Sequence, residues 1–438
     1  MTDSSMPSNS ASAPIRCSSL LPLFALFATP LPVAARVLLL FCLSAQAGVT
    51  AQGIFSHAAT LAIMCVVMMA SGAGLTVAFL VARNPRRYLR LCYLTTTVYA
   101  FVVTGLYWGC LTLLFYLYPA YVAGYPADLA YLLPLFVLSN LLFLFQNQLL
   151  TGLQCFAQYF WINILHAGAL MGGIAFLAWT GWWSVSSAFT IWVVSIALPL
   201  PWQAAVILRR CDGRWPARRQ LHGILRLLVG HTLQSSVATM SDALVFRSGI
   251  LILRIFCPFS IVGAYAIACS ISELVLHLPK GLGVFLLPRL TATRALVTRQ
   301  ALNRYGLMFC VLMVLACIVA VAAPLISLVL HQPEYAMSIR IARILLIGTT
   351  LMGWGMLVAS HMRATGDVRS VMNASLLSLV VVLVSGFLLV PVFQAYGASI
   401  AATLAFATYG LYAARWLLIV RVDPPTCGVP TYLMVQGR

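Results

Sequence analysis

SDALVFRSGILILRIFCPFSIVGAYAIACSISELVLHLPKGLGVFLLPRLTA, residues 241–292, consists of two apolar runs separated by a short connection. Each run reaches the roughly 20 residues that a helix needs to cross the ~30 Å hydrocarbon core of a bilayer. Asp242 and Arg247 nevertheless lie inside the first run, and a charge at the bilayer centre costs about 2.5–3.5 kcal/mol on insertion scales. Charges that are retained at this cost indicate a function inside the membrane.

The whole chain has the composition of a membrane protein. Of its 438 residues, 62% are hydrophobic and only 8% are charged, and the mean hydropathy is +0.99. A soluble domain needs more surface charge than this to stay in solution. The composition therefore predicts a polytopic, all-α membrane protein.

The apolar runs and their breaks predict about twelve transmembrane helices. These are residues 32–50, 57–82, 91–118, 128–151, 159–180, 184–208, 228–253, 262–288, 304–330, 338–361, 370–393 and 397–420. Arginines cluster in the connections after even-numbered spans, whereas the connections after odd-numbered spans are almost uncharged. By the positive-inside rule, the arginine-rich connections and both termini are predicted to be cytoplasmic.

The order of the spans predicts two lobes of six helices. The segments QGIFSHAATLA (52–62) and VGAYAIACSIS (262–272) align without gaps at an offset of 210 residues, which matches Gly53 with Gly263. Because the offset corresponds to six spans, the repeat is parallel, with its axis along the membrane normal. The predicted domains are a polar tail and lead-in (1–31), an N-terminal six-helix lobe (32–208), a basic cytoplasmic linker (209–227), a C-terminal six-helix lobe (228–421) and a cytoplasmic tail (422–438).

Several function classes are disfavoured by the sequence. The net charge of +18 is explained by arginines that fix membrane topology, and no basic domain with interleaved aromatic residues is available for nucleic acid. The twelve cysteines form no CxxC pair and no His/Cys cluster, so we expect neither disulfides nor a metal ion. No predicted connection is longer than about 20 residues and no paired carboxylates stand out, so we expect a protein that is not an enzyme.

Four segments of the C-terminal half resemble one family. They are residues 241–292, APLISLVLHQPEYAMSIRIARIL (323–345), HMRATGDVRSVMNASLL (361–377) and VPVFQAYGASIAATLAFA (390–407). Their D-x-L-V, G-x-Y, A-x-G and Y-G stretches are similar to those of the polysaccharide-biosynthesis (O-antigen-type) flippases. That family belongs to the multidrug/oligosaccharidyl-lipid/polysaccharide exporter (MOP) superfamily. The N-terminal half is similar mainly in the layout of its spans.

The resemblance implies a MATE-like fold and a function. Such a protein flips a lipid-linked oligosaccharide, commonly linked through undecaprenyl pyrophosphate, from the inner to the outer leaflet by alternating access. The implied location is the bacterial cytoplasmic (inner) membrane, among membrane lipids and near a polysaccharide polymerase and a chain-length regulator. No cofactor is implied beyond a coupling proton or sodium ion. Lys280 departs from the family, which usually has an apolar or small residue there.

An anionic pyrophosphate can cross an apolar barrier only in a hydrated cavity lined by cations. Arg247 and Arg254 are seven residues apart, hence on nearly the same helical stripe, and Lys280 lies in the next span. These three residues are the predicted pyrophosphate ligands. The sequence leaves an internal ion pair open for Arg247 and a lipid-headgroup contact open for Arg254.

Asp242, Glu273 and His57 are assigned to ion coupling or charge balance. Asp242 either carries the coupling ion or neutralises an arginine elsewhere in the lobe. It is five residues from Arg247, about 140° around an ideal helix, so we expect no direct pair between them. Glu273 shares a helical stripe with Lys280. His57 is a proton carrier by its ordinary pKa or a hydrogen-bonded interior residue.

Two other functions stay open at this stage, a MATE-type drug/cation antiporter and a lipid II flippase. Antiporters of cationic drugs typically have acidic residues in the cavity, and the first six spans contain only Asp128, at an edge. A lipid II flippase would normally have more arginines in the first two spans than Arg36. The excess of cations over carboxylates in the predicted cavity therefore favours an anionic lipid-linked oligosaccharide as substrate.

Overall fold

The computed structural model describes residues 30–211, 237, 239–293, 299–330, 335–365 and 367–422. All regular elements in these ranges are helices. In chain order they are α1 (Pro30–Arg83), α2 (Pro85–Leu117), α3 (Leu129–Gly152), α4 (Phe156–Thr180), α5 (Val185–Ala197), α6 (Leu200–Leu208), α7 (239–256), α8 (Phe259–Thr293), α9 (Arg299–Leu330), α10 (Tyr335–Ala364) and α11 (Val368–Val422). The predicted N-terminal tail, basic linker and C-terminal tail lie almost entirely outside the described residues.

Nine helices in the described ranges are long and apolar enough to cross a membrane. Two of these nine, Leu31–Ala70 with 40 residues and Val368–Ile419 with 52 residues, are long enough to cross it twice. The protein is therefore a multi-pass membrane protein. The predicted count of twelve takes each of these two as a pair of spans and adds α7. That count and the cytoplasmic location of the termini stay predictions.

The two longest helices each change direction at one residue. Gly48 has φ 87° and ψ 166° within α1, and Gln394 has φ 50° and ψ −125° within α11. The sequence predicted connections of several residues at 51–56 and 394–396, whereas the chain makes each turn at a single residue. Glycine tolerates a positive φ because it has no Cβ. The chain can therefore turn at Gly48 alone and resume as helix at the next residue.

Two large hydrophobic cores hold the helices together, and a small third cluster joins α8, α9 and α10. The first is built by α1 to α6 together with Phe259 at the start of α8, and the second is built by α7 to α11. We call these two sets of helices the first lobe and the second lobe. The predicted domain boundaries stay predictions, because most of the linker at 209–227 lies outside the described residues.

The lobes approach each other most closely where α1 passes α8. A Cβ added at Gly53 would clash with the carbonyl oxygen of Phe259, and one added at Gly263 would clash with that of Val49. Neither position has room for a side chain, so the two backbones are in direct contact. This crossing fixes the position of α1 relative to α7 and α8.

Candidate functional site

Charged residues converge where α1 of the first lobe meets α7 and α8 of the second. Nη1 of Arg247 lies 3.5 Å from Oε1 of Glu273, which joins α7 to α8 by a salt bridge. Arg36, His277 and Lys280 also lie within electrostatic reach of Glu273. We call Arg36, Arg247, Glu273, His277 and Lys280 the central charge cluster.

Helix geometry explains how one short stretch supplies most of this cluster. Glu273, His277 and Lys280 are spaced by four and three residues on α8, so they share one face of that helix. The two residues between α7 and α8 force these helices to be antiparallel neighbours. Arg247 of α7 therefore faces the charged stripe of α8.

The central charge cluster is largely enclosed by protein, and some of its side chains keep accessible surface. The side chains of Arg247 and Glu273 keep 19% and 17% of their surface accessible. Lys280 is exposed, and its Nζ lies 5.3 Å from the centre of the Phe246 ring. Water access lowers the cost of charges inside a membrane protein. This combination is expected of residues that line a hydrated opening between helices.

Arg36 is, with His277, one of the two residues of this cluster that the sequence analysis does not assign to the site. Its guanidinium carbon lies 5.8 Å from the centre of the Trp192 ring on α5, and its charge acts on both Arg247 and Glu273. Its Nε is buried without a hydrogen-bond partner among the described residues. The available signal was an arginine inside the first apolar span. It went unused because the facing helix is more than 200 residues away in sequence.

Asp242 belongs to an adjoining polar group inside the second lobe. Its Oδ1 accepts a hydrogen bond of 2.6 Å from Oγ of Ser375 on α11. Arg363 and Lys280 lie within its electrostatic reach. In the described part of the chain, Asp242 forms no salt bridge with Arg247, whose partner is Glu273. Ion coupling and charge balance both stay predictions for Asp242.

Arg254 lies at another contact between the lobes. Its Nε donates to the carbonyl oxygen of Tyr121 at 2.8 Å, and its Nη2 donates to that of Ala120 at 2.7 Å. Its guanidinium also lies 4.0 Å from the centre of the Phe259 ring. Arg254 thereby ties the end of α7 to the connection between α2 and α3. These contacts favour a structural role, and pyrophosphate binding by Arg254 stays a prediction.

His57 lies beside Arg254 and away from the central charge cluster. Its Nδ1 is 2.6 Å from the hydroxyl oxygen of Tyr125, and its ring contacts those of Tyr121 and Phe259. We call His57, Tyr121, Tyr125, Arg254 and Phe259 the interlobe clamp. The hydrogen bond favours the interior role that the sequence left open for His57.

The interior of the first lobe carries neutral polar groups. Nε2 of Gln203 donates to Oδ1 of Asn147 at 3.0 Å, and both side chains are buried. Between residues 30 and 211 the only carboxylate is Asp128, which is exposed just before α3. No three His, Cys, Asp or Glu side chains of the described residues are grouped to hold a metal ion.

Solved structures share this architecture over almost the whole chain. An inward-facing multidrug resistance MATE family transporter of the MOP superfamily has a TM-score of 0.73 and 14% identity, covering 93% of this chain and 99% of that one. The chain has the fold of the MOP-superfamily transporters. Lipid II flippase MurJ, in an inward closed conformation, has a TM-score of 0.68 and 12% identity, covering 95% of both chains.

A third similar structure is a MOP superfamily transporter from Pyrococcus furiosus. Its binding pocket is described as having reverse polarity, which suggests a different function for that protein. It has a TM-score of 0.57 and 14% identity, covering 91% of this chain and 95% of that one. No family model and no curated protein matches the chain in sequence. The predicted all-α, MATE-like fold is thus confirmed, and the predicted resemblance holds at the level of the superfamily fold.

Proposed function

We propose that this protein is a transporter, not an enzyme, that flips a lipid-linked oligosaccharide from the inner to the outer leaflet of a bacterial cytoplasmic membrane. The lobes would give alternating access to a site between them, and the lipid would carry its sugar on a diphosphate, as undecaprenyl pyrophosphate does. The product would serve export of a surface polysaccharide or exopolysaccharide. The observation that carries the proposal is the central charge cluster, in which three fixed cations face one carboxylate.

The cluster suits a diphosphate in charge and in position. A diphosphate diester carries two negative charges, and three cations less one carboxylate leave two positive charges when His277 is neutral. Arginine binds phosphate oxygens in a bidentate manner and lysine binds them as a point charge. Arg36 belongs to the first lobe, whereas Arg247 and Lys280 belong to the second. An anion between them would contact both lobes while the lipid tail stayed in the bilayer.

A MATE-type drug/cation antiporter and a lipid II flippase are the alternatives that the same fold allows. A cationic drug would meet the cations of the central charge cluster and, in the described first lobe, no interior carboxylate. This disfavours the antiporter. Lipid II is itself a diphosphate-linked lipid, so the cluster does not separate it from an oligosaccharide carrier, and the lipid that accumulates without the protein must decide.

A deletion strain tests the proposal directly. Its lipids are extracted, lipid-linked oligosaccharide and lipid II are quantified, and surface polysaccharide and sensitivity to cationic drugs are recorded. We expect lipid-linked repeat units to accumulate and surface polymer to be lost. Normal glycans with increased drug sensitivity would instead establish the antiporter, and accumulated lipid II would establish the other alternative.

Complementation then tests the cluster. Arg247→Ala and Arg36→Ala are each expected to fail to restore export, so lipid-linked repeat units still accumulate although the variant protein is present in the membrane at the wild-type level. Arg340→Ala is the matched control, because Arg340 is exposed on α10 and is not among the cations that act on Glu273. We expect that variant to restore export. Full export by Arg247→Ala would remove this residue from the proposed site.

A further inference from the structure

We infer that Glu273 is a resident counter-anion of the proposed transport site. In the substrate-free protein Glu273 forms an ion pair with Arg247, and when substrate arrives the diphosphate replaces Glu273 as the partner of this arginine. Glu273 thereby lowers the affinity of the site for anions and allows the substrate to leave. This inference rests on the proposed function and assigns Glu273 a role in setting affinity.

The geometry of the pair is that of an exchangeable contact. The 3.5 Å between Nη1 of Arg247 and Oε1 of Glu273 is longer than the 2.7–2.9 Å typical of a charge-assisted hydrogen bond. Both side chains also retain accessible surface, so water or another anion can reach them. A pair that locks helices together would be short, buried and fully hydrogen-bonded. The observed pair is longer than this and is not fully enclosed.

The surrounding charges explain why a resident anion is useful. Arg36 and Arg247 act on each other, and both act on Lys280, so these cations repel one another. Glu273 is the carboxylate that reaches all three. It offsets their repulsion when the site is empty, and a bound diphosphate would take over this task. The two anions therefore compete for the same cations.

Competition of this kind suits a transporter. A transported ligand must bind well enough to enter and weakly enough to leave. Three cations without a counter-anion would hold a diphosphate tightly in every conformation, and uniformly tight binding shifts no equilibrium between conformations. Glu273 pairs with Arg247 again as substrate departs, so the cations of the cluster are not left without a counter-charge after release. Asp242 does not fill this role, because it is hydrogen-bonded to Ser375 within the second lobe.

The test measures binding and flipping on the same set of variants. Full-length protein is reconstituted in nanodiscs, and the probe is farnesyl diphosphate, a short diphosphate lipid, with farnesol as the uncharged reference. We expect Glu273→Gln to lower the Kd for farnesyl diphosphate about tenfold, which corresponds to about 1.4 kcal/mol. In cells the same variant is expected to slow export although it binds more tightly. A merely structural role would weaken both.

Two further variants grade the effect. Asp128→Asn removes an exposed carboxylate outside the central charge cluster and is expected to match the wild type. Glu273→Asp keeps a carboxylate but places it farther from Arg247, so it should lower the Kd by a smaller factor than Glu273→Gln. If Glu273→Gln does not fold, as judged by its elution and melting temperature, Glu273→Asp carries the test alone.

The outcomes separate the inference from the proposed function. Wild-type binding of farnesyl diphosphate, with equal or weaker binding by the Glu273 variants, would overturn the counter-anion role and leave the proposed function in place. A wild-type protein that binds farnesyl diphosphate no better than farnesol would instead contradict the proposed diphosphate site itself. Tighter binding with slower export in Glu273→Gln would support both.

Discussion

Gly53 and Gly263 touch across the boundary between the lobes, and their contact is reciprocal. A Cβ on Gly53 would meet the carbonyl oxygen of Phe259, and a Cβ on Gly263 would meet that of Val49. Each pair of equivalent residues is separated by the 210 positions that relate the two similar segments in sequence. A two-fold axis between the lobes produces this kind of self-complementary contact. The contact therefore joins the two lobes backbone to backbone.

The first prediction follows from the lack of space at this contact. Gly263→Ala places a methyl group against the backbone of α1, so we expect it to destabilise the protein by about 1–3 kcal/mol. The melting temperature in detergent measures this loss. Gly168→Ala is the matched control, because a Cβ there meets no atom of the described residues within 4 Å. Equal melting temperatures for both variants would show that the lobes tolerate separation at Gly263.

The second prediction concerns the interlobe clamp. Arg254→Ala removes the two short hydrogen bonds to the carbonyl oxygens of Ala120 and Tyr121, and bonds to charged groups contribute about 1.5–3 kcal/mol each. We expect amide hydrogen exchange in residues 118–128 to become at least tenfold faster. Mass spectrometry of exchange in detergent or nanodiscs measures this. Arg340→Ala should leave exchange in this segment unchanged.

Arg254→Ala also separates a structural role from pyrophosphate binding. If Arg254 acts only in the interlobe clamp, binding of farnesyl diphosphate is expected to change less than twofold while hydrogen exchange rises. Weakened binding with unchanged hydrogen exchange would reverse this assignment and restore the role that the sequence predicted.

A third prediction concerns the support of Arg36. The Trp192 ring lies 5.8 Å from the guanidinium of Arg36 and packs against Phe55 and Phe136. A cation–π contact contributes about 0.5–1 kcal/mol at accessible sites, so Trp192→Leu is expected to raise the Kd for farnesyl diphosphate about two- to fivefold. Trp192→Phe keeps a ring and should bind nearly as the wild type. Equal Kd values for the leucine and phenylalanine variants would exclude this support.

The fourth prediction separates the two roles left for Asp242. Asp242→Asn leaves Arg363 and Lys280 without a carboxylate that acts on both of them, so we expect reduced export. If Asp242 balances charge, the double variant Asp242→Asn/Arg363→Gln should recover much of the loss, because paired removal of opposite charges costs less than removal of one. Export by the double variant that is as low as in Asp242→Asn would favour ion coupling.

Much of the fold is legible in the sequence. Membrane thickness demands about 20 apolar residues for a span, so hydropathy located the helices, although some predicted ends differ from the observed ones by six residues or more, as at Pro85 and after Gly48. Both turns inside the long helices were located near the correct residue. Their sharpness was missed, because the conformations of Gly48 and Gln394 depend on how the flanking helices pack.

Only part of the site can be predicted from the sequence. A basic residue in an apolar run is conspicuous, so the sequence singles out Arg247 and Lys280, and their binding role stays a prediction. The five-residue spacing argues against a pair between Asp242 and Arg247, and the described residues form none. Partners from other helices were not identified. Glu273 was assigned to charge balance without its partner, and Arg36 was left out of the site.

The sequence by itself therefore determined that this is a multi-pass helical membrane protein with cations inside its apolar segments, because bilayer thickness and helix periodicity act within single segments. Only the tertiary structure decided that Arg247 pairs with Glu273, that Arg36 joins them from the first lobe, and that Arg254 donates hydrogen bonds to the connection between α2 and α3. The physical reason is distance along the chain. Charges interact over a few ångströms in space, and which distant helices come that close is set by packing of whole lobes.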